Sequence, residues 1–138
     1  MADIKNVFDI AARSMSAQMV RLNTVASNLA NSRSVASSEA EAYRAIKPVF
    51  KTIYADDLQN SGVASVDVVD IVSIDRAPDK SYQPGHPKAD KDGYIYTAAV
   101  DTEEEMVEML EASRQYENNV EVISTLRGLM MRTINMGK

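Results

Sequence analysis

Cysteine and tryptophan are absent from this chain of 138 residues, which holds only two Phe, four Pro, five Gly and one His. Without cysteine, a disulfide framework and a thiolate metal site are both excluded. Without Trp and with so few Phe, no dense aromatic core is available. Ala, Val, Ile and eight Met supply most of the 45% apolar residues, a mixture suited to helix seams and adaptable contacts. Basic charge is short as well. The net charge of −5 and a pI near 4.9 argue against a nucleic-acid surface. No apolar run approaches the roughly 20 residues that cross a bilayer. The beginning MADIKNVFDIAARSMSAQ lacks the charged start, unbroken apolar stretch and cleavage site of a secretory signal. Departure from the cytoplasm would need another export route.

Catalytic chemistry finds no residues to carry it. His86 is the single histidine and sits between Gly85 and Pro87; with no Cys and no second His, neither a zinc site nor a nucleophile–base pair is expected. The ADKDG run invites comparison with a calcium loop. Placing Gly93 sixth, however, puts Lys88 first and Ala99 twelfth, the wrong ligands. Glu103, Glu104 and Glu105 are consecutive and point in different helical directions, so they read as a solvated helix start. Five glycines form no phosphate-binding loop. No catalytic residue, cofactor or metal is expected.

What the chain does have is a pair of apolar helices at its two ends. Phe8, Met15, Leu22 and Leu29 fall one heptad apart, and Met109, Tyr116, Ile123 and Met130 repeat that spacing at the other end. The first helix is predicted from about Asn6 to Ala30, with Ala11, Ala12, Met19, Val25 and Ala26 widening its stripe. An amphipathic face of this kind needs a partner, since isolated helices are marginal in water. Asn28, Asn31 and the following serines read as a helix end and a mobile connector. The last helix is predicted from Thr102 to Asn135, with Thr102 and Glu105 as a capping box. Residues 101–121 hold eight acidic side chains and one Arg, whereas 122–138 hold Arg127, Arg132, Lys138 and no acid, a distribution that complements the helix dipole.

Between the helices, YRAIKPVFKTIY (43–54) and VASVDVVDIVSI (63–74) are rich in β-branched residues and predict two paired strands, with Pro48 confining the first to an edge. ADDLQNSG joins them as a turn. The stretch RAPDKSYQPGHPKADKDG holds three of the four prolines and is expected to be a loop ordered only on assembly. The organisation expected is therefore mainly α: an N-terminal helical part (1–35), a central β-hairpin-like region with an extended Pro-rich loop (36–100), and a C-terminal helix (101–138) that packs on the first as an antiparallel coiled coil.

The wording of the sequence adds to this. FDIAARSMSAQMVRLNTVASNLANSRS resembles the N-terminal motif of flagellar axial proteins, and EMVEMLEASRQYENNVEVISTLRGLMMRTINMGK resembles their C-terminal motif. YRAIKPVF and APDKSYQPGHPKADKDGYIY are similar to subunits of the proximal rod of the basal body. The chain departs from the family pattern at Ala98 and Ala99, where Pro-Asn is usual, at Glu117 and Asn118, and at Ser32 and Arg33. The resemblance implies a structural subunit, not an enzyme. It implies export unfolded through the flagellar type III apparatus and polymerisation with its own copies and other rod proteins, proximal, distal and on the MS-ring side, into a torque-transmitting shaft across the periplasm. The eight heptad residues are then an assembly seam, and Tyr82, Pro84, His86, Pro87 and Tyr94 a loop that selects neighbours. Another short axial subunit, or a small enzymatic or metal-binding domain, are the alternatives.

Overall fold

The computed structural model describes residues 2–54 and 64–137. Helix α1 spans Ala2–Asn31 and helix α2 spans Thr102–Met136. Between them lie strands β1 (Val35–Ala36), β2 (Ile46–Tyr54), β3 (Ala64–Ser73), β4 (Asp79–Tyr82) and β5 (Tyr94–Thr97). The architecture is two long terminal helices with a β-containing middle made of two small sheets. Helix α2 keeps the expected limits to within one residue, and α1 ends as expected but begins about one turn earlier, at Ala2 instead of Asn6. The ADDLQNSG turn lies outside the described residues.

Strands β2 and β3 pair antiparallel from Ile46–Ser73 to Tyr54–Ala64, with a register shift between Val49 and Phe50. Val49 faces Asp70 and Phe50 faces Val68, so Val69 is the extra residue of a bulge, which sharpens the local twist. Pro48 is accommodated because this sheet has only two strands and β2 keeps a free edge. The hairpin packs against α1, the support a two-stranded ribbon needs for stability.

The second sheet corrects the expectation of an irregular loop over residues 76–93. Asp79–Tyr82 pairs antiparallel with Tyr94–Thr97, and β1 adds to the other side of β5. Tyr82 and Tyr94 are therefore strand residues that pair directly opposite each other, their rings edge to face with centroids 5.2 Å apart. The ammonium of Lys80 sits 4.0 Å from the centre of the Tyr94 ring, a cation–π contact. Pro84, His86 and Pro87 occupy the connecting tip, which is ordered by its own bonds. The Gln83 amide donates to Gly93 O at 2.8 Å, and Asp90 Oδ1 accepts from the amides of Asp92 and Tyr94. Gly93 has φ of 81°, and a Cβ there would lie 2.9 Å from Tyr82 Cε2. Aromatic pairing across four-residue strands outweighs the breakers around them.

The connector after α1 is likewise bonded. Ser32 Oγ donates to Leu29 O, and the Ser34 amide donates to Asn31 O. The approach to α2 is held at two alanines: the Ala98 amide donates to Ser34 O at 3.0 Å and the Ala99 amide to Tyr43 O at 2.8 Å. Proline at 98 could not make the first of these bonds.

Candidate assembly interface

The helices run antiparallel, because the residues that meet across them count in opposite directions. Asn28 meets Glu105, Arg21 meets Glu108, and Ser14 meets Asn119. All three meetings are polar. The buried apolar residues of the two helices are small, with Ala11, Ala17 and Val25 on α1 and Ala112 on α2. The buried apolar surface available to hold them is correspondingly modest.

Asn28 is the largest fully buried side chain and the junction of three elements. Its Nδ2 donates to Ile46 O at 2.9 Å and to Glu105 Oε1 at 3.0 Å. Its Oδ1 accepts from the Ile46 amide at 2.9 Å and from the Tyr43 hydroxyl at 3.0 Å. One amide thus fixes α1, the start of β2 and the first turn of α2 together. Asn28 lies at the helix end where its residue type was expected, but with its side chain in the interior.

Glu105 corrects the expected capping box. The cap of α2 is Asp101, whose carboxylate accepts from the amides of Glu103 and Glu104. Glu105 instead turns inward, 2% exposed, with Oε2 lacking a partner among the described residues. Burial raises its pKa above the ordinary carboxylate range, against the lowering effect of the Asn28 amide. A charged carboxylate here would be costly.

Around this node lies an ion-pair network. Lys47 Nζ donates to Glu104 Oε1 at 2.6 Å, and Arg76 donates to Glu104 Oε2 at 3.1 Å. Arg21 pairs with Glu108 and reaches Glu111 at 3.4 Å. The bond to Lys47 holds the Glu104 carboxyl below its usual range, and the same bond raises Lys47. Asn28, Arg21, Lys47 and Glu105 were not singled out by apolar spacing. For Arg21, Asn28 and Glu105 the available signal was a polar residue on a helix face that also carries apolar ones; Lys47 lies on β2 and gave none.

Of the eight heptad residues, Phe8, Met15, Leu22 and Leu29 are half-buried on α1, as are Tyr116 and Ile123 on α2, while Met109 and Met130 are each 37% exposed. Ser113, at an otherwise apolar position, is half-buried and Arg127 is exposed. Large apolar side chains instead reach the surface along much of α2, including Val107, Leu110, Val120, Leu129, Met131, Ile134 and Met136. At the β-tip, Tyr82, Pro84 and Pro87 are exposed and Tyr94 and His86 half-buried. His86 Nδ1 accepts from the Lys88 amide, which makes it a turn residue. Among the described residues no group of three His, Cys, Asp or Glu could hold a metal ion, and no helix is long and apolar enough to cross a membrane.

Two family profiles match this chain. The family described as Flagella basal body rod protein matches residues 8–32, and Flagellar basal body rod FlgEFG protein C-terminal matches residues 91–136. A protein of Escherichia coli O6:H1 called flagellar basal-body rod protein FlgC is 42% identical over 134 residues, 96% of this chain and 97% of its own. The protein of that name from Salmonella typhimurium is 40% identical over 134 residues, with the same coverage of both chains. Its counterpart in Aquifex aeolicus is 36% identical over 138 residues and the full length of both chains.

Proposed function

Because this chain belongs to the FlgC family of flagellar basal-body rod proteins, we propose that it is a structural subunit of the bacterial flagellar proximal rod. It polymerises through its terminal helices into the shaft that transmits torque, and it is not an enzyme. Its partners are copies of itself and other rod proteins, toward the MS ring on one side and the distal rod on the other. It reaches its place across the periplasm through the flagellar type III export apparatus.

The observation that carries this reading is the mismatch between what is buried and what is exposed. Alanines fill the interior while Val, Leu, Ile and Met line the outside of α2. Contiguous exposed apolar surface on a helix marks a protein contact. In the assembled rod the pair α1–α2 is a coiled coil, with Phe8, Met15, Leu22, Leu29, Met109, Tyr116, Ile123 and Met130 as the assembly seam. The hairpin tip, bearing Tyr82, Pro84, His86, Pro87 and Tyr94, selects neighbours, and loops on a fixed scaffold can carry such selectivity. The chain divides accordingly into 1–35, 36–100 and 101–138.

Deleting the gene in its own host tests the reading. Swimming and rod formation should be lost, and both should return with the unaltered gene. Normal rods in the deletion strain would refute it.

A further inference from the structure

A groove of about 330 Å³ opens where α1, α2 and the start of β2 converge, and both Lys47 and Glu105 line it. Three cations and three carboxylates surround it in ion pairs. Arg21 from α1 spans Glu108 and Glu111, while Lys47 from β2 and Arg76 from the segment after β3 share Glu104. The set balances without Glu105. An ionised Glu105 would add a fourth negative charge with no cation left to meet it.

The placement of Glu105 suits a carboxyl that keeps its proton. The side chain is 2% exposed, and its Oε1 accepts from Asn28 Nδ2 at 3.0 Å. The proton then belongs on Oε2, which has no partner among the described residues. Asn28 and the Tyr43 hydroxyl that donates to it bring no charge. Burial opposes ionisation against the pull of Asn28 and Lys47, and the neighbouring charges of Glu104 and Glu108 oppose it further.

Once that proton is lost, the three cations are not equally free to answer. Arg21 cannot leave without freeing two carboxylates, and Arg76 meets only Glu104. Lys47 can leave, because Arg76 still holds Glu104 Oε2 at 3.1 Å when Lys47 gives up Oε1. Its flexible four-carbon stem lets the ammonium turn, and the groove gives it room.

We propose that Lys47 and Glu105 form a proton-gated latch at the junction of α1, β2 and α2. With the proton on Glu105, Lys47 bonds Glu104. When the proton passes to solvent, the Lys47 ammonium turns into the groove to Glu105 Oε2, and Glu104 stays with Arg76. The first turn of α2 is tied to β2 in both states, through a different carboxylate in each. The exchange spares the junction a buried charge without a counter-ion, the costly state for any interior carboxylate.

Carbon-13 and nitrogen-15 NMR of the full chain, from about pH 4 to about pH 9, tests the latch. The Glu105 carboxyl signal, identified by its loss in Glu105→Gln, should titrate above the ordinary carboxylate range. The Lys47 Nζ signal should shift with the same midpoint. In Lys47→Met the Glu105 midpoint should rise by about one pH unit or more, and in Lys47→Arg it should return toward the parent value. A Glu105 midpoint in the ordinary range, or a Lys47 signal that does not follow it, overturns the latch. So does a Lys47→Met chain in which Glu105 titrates as in the parent. Should that variant not fold, the two signals of the unaltered chain still decide.

Discussion

Asn28 and Glu105, 77 positions apart in sequence, meet at 3.0 Å inside the protein, and the Asn28 amide is shared with both backbone groups of Ile46. Antiparallel helices of small residues slide easily against each other, since alanines offer no interlocking shape. A buried amide with four defined partners removes that freedom, because every displaced register strands polar groups away from water. Packing makes the helix pair possible, and this polar junction sets its alignment relative to β2.

Replacing Asn28 by Ala should therefore be among the most damaging single changes. It removes the partner of the Ile46 amide and carbonyl and of one Glu105 oxygen, while the Tyr43 hydroxyl keeps its contact with the Ser27 hydroxyl at 3.3 Å. Each unsatisfied buried group costs about 1–3 kcal/mol, so a loss of at least about 3 kcal/mol is expected. Urea unfolding followed by helical circular dichroism measures it. A loss under about 1 kcal/mol would show that water replaces the amide freely.

Glu105 and Glu104 should give opposite dependences on pH. Burial raises the folded pKa of Glu105 above its unfolded value. Its contribution is thus fully present below the ordinary carboxylate pKa and is lost as pH rises through the folded one. Glu104 is lowered by Lys47, so its contribution is present above the ordinary value and lost as pH falls through its folded pKa. Glu105→Gln keeps an acceptor for Asn28 and removes the charge. The variant should be more stable than the parent at neutral pH, with the difference shrinking toward pH 4. Denaturation midpoints across that range decide the matter; an unchanged difference at all pH values would contradict it.

The helices were legible in the sequence because a 3.6-residue repeat survives over thirty residues, and β2 and β3 because Val and Ile crowd together there. The β4–β5 hairpin was not, since DKSY and YIYT are too short to show a period and are flanked by Pro, Gly and Asp. Their pairing depends on cross-strand aromatic contacts, which spacing along the chain does not reveal. The inward Asn28 and Glu105 were hidden for a related reason. Both residue types favour helix ends, and only the tertiary arrangement makes them interior. The eight heptad residues were recognisable as apolar, but their spacing alone does not reveal that Met109 and Met130 stay 37% exposed while the other six are half-buried.

Gly93→Ala should weaken the hairpin tip. The backbone there has positive φ and the new methyl would press on Tyr82 and Pro84. Strain of this kind costs about 1–3 kcal/mol. Loss of hydrogen-exchange protection at the Gln83 and Tyr94 amides, with α1 and α2 unaffected, is the expected signature. Intact protection at both amides would show that the turn relaxes without cost.

Leu22→Asp and Ile123→Asp test the seam. Both positions are half-buried on facing helices, and a carboxylate forced into an apolar contact costs several kcal/mol. Each variant should be made and exported yet fail to build a rod, whereas Asn23→Asp, on an exposed position of the same turn, should swim. Rod formation by both seam variants would remove these residues from the interface.

The last prediction separates the generic contact from the selective one. Residues 84–92 form the tip beyond the Tyr82–Tyr94 pair, and they join the two strands without contributing to their ladder. Replacing 84–89 with Gly and Ser of equal length leaves both strands, Asp90 with its bonds to Tyr94, Gly93 and the helix pair in place. A flexible connection of that length adds little to the entropy of closing the hairpin. Circular dichroism should thus be unchanged and export normal. If the tip distinguishes one neighbour from another, rod growth should stop at this subunit, leaving incomplete basal bodies visible by electron microscopy. Complete rods would reduce the tip to a spacer and move selectivity to the surfaces of α1 and α2.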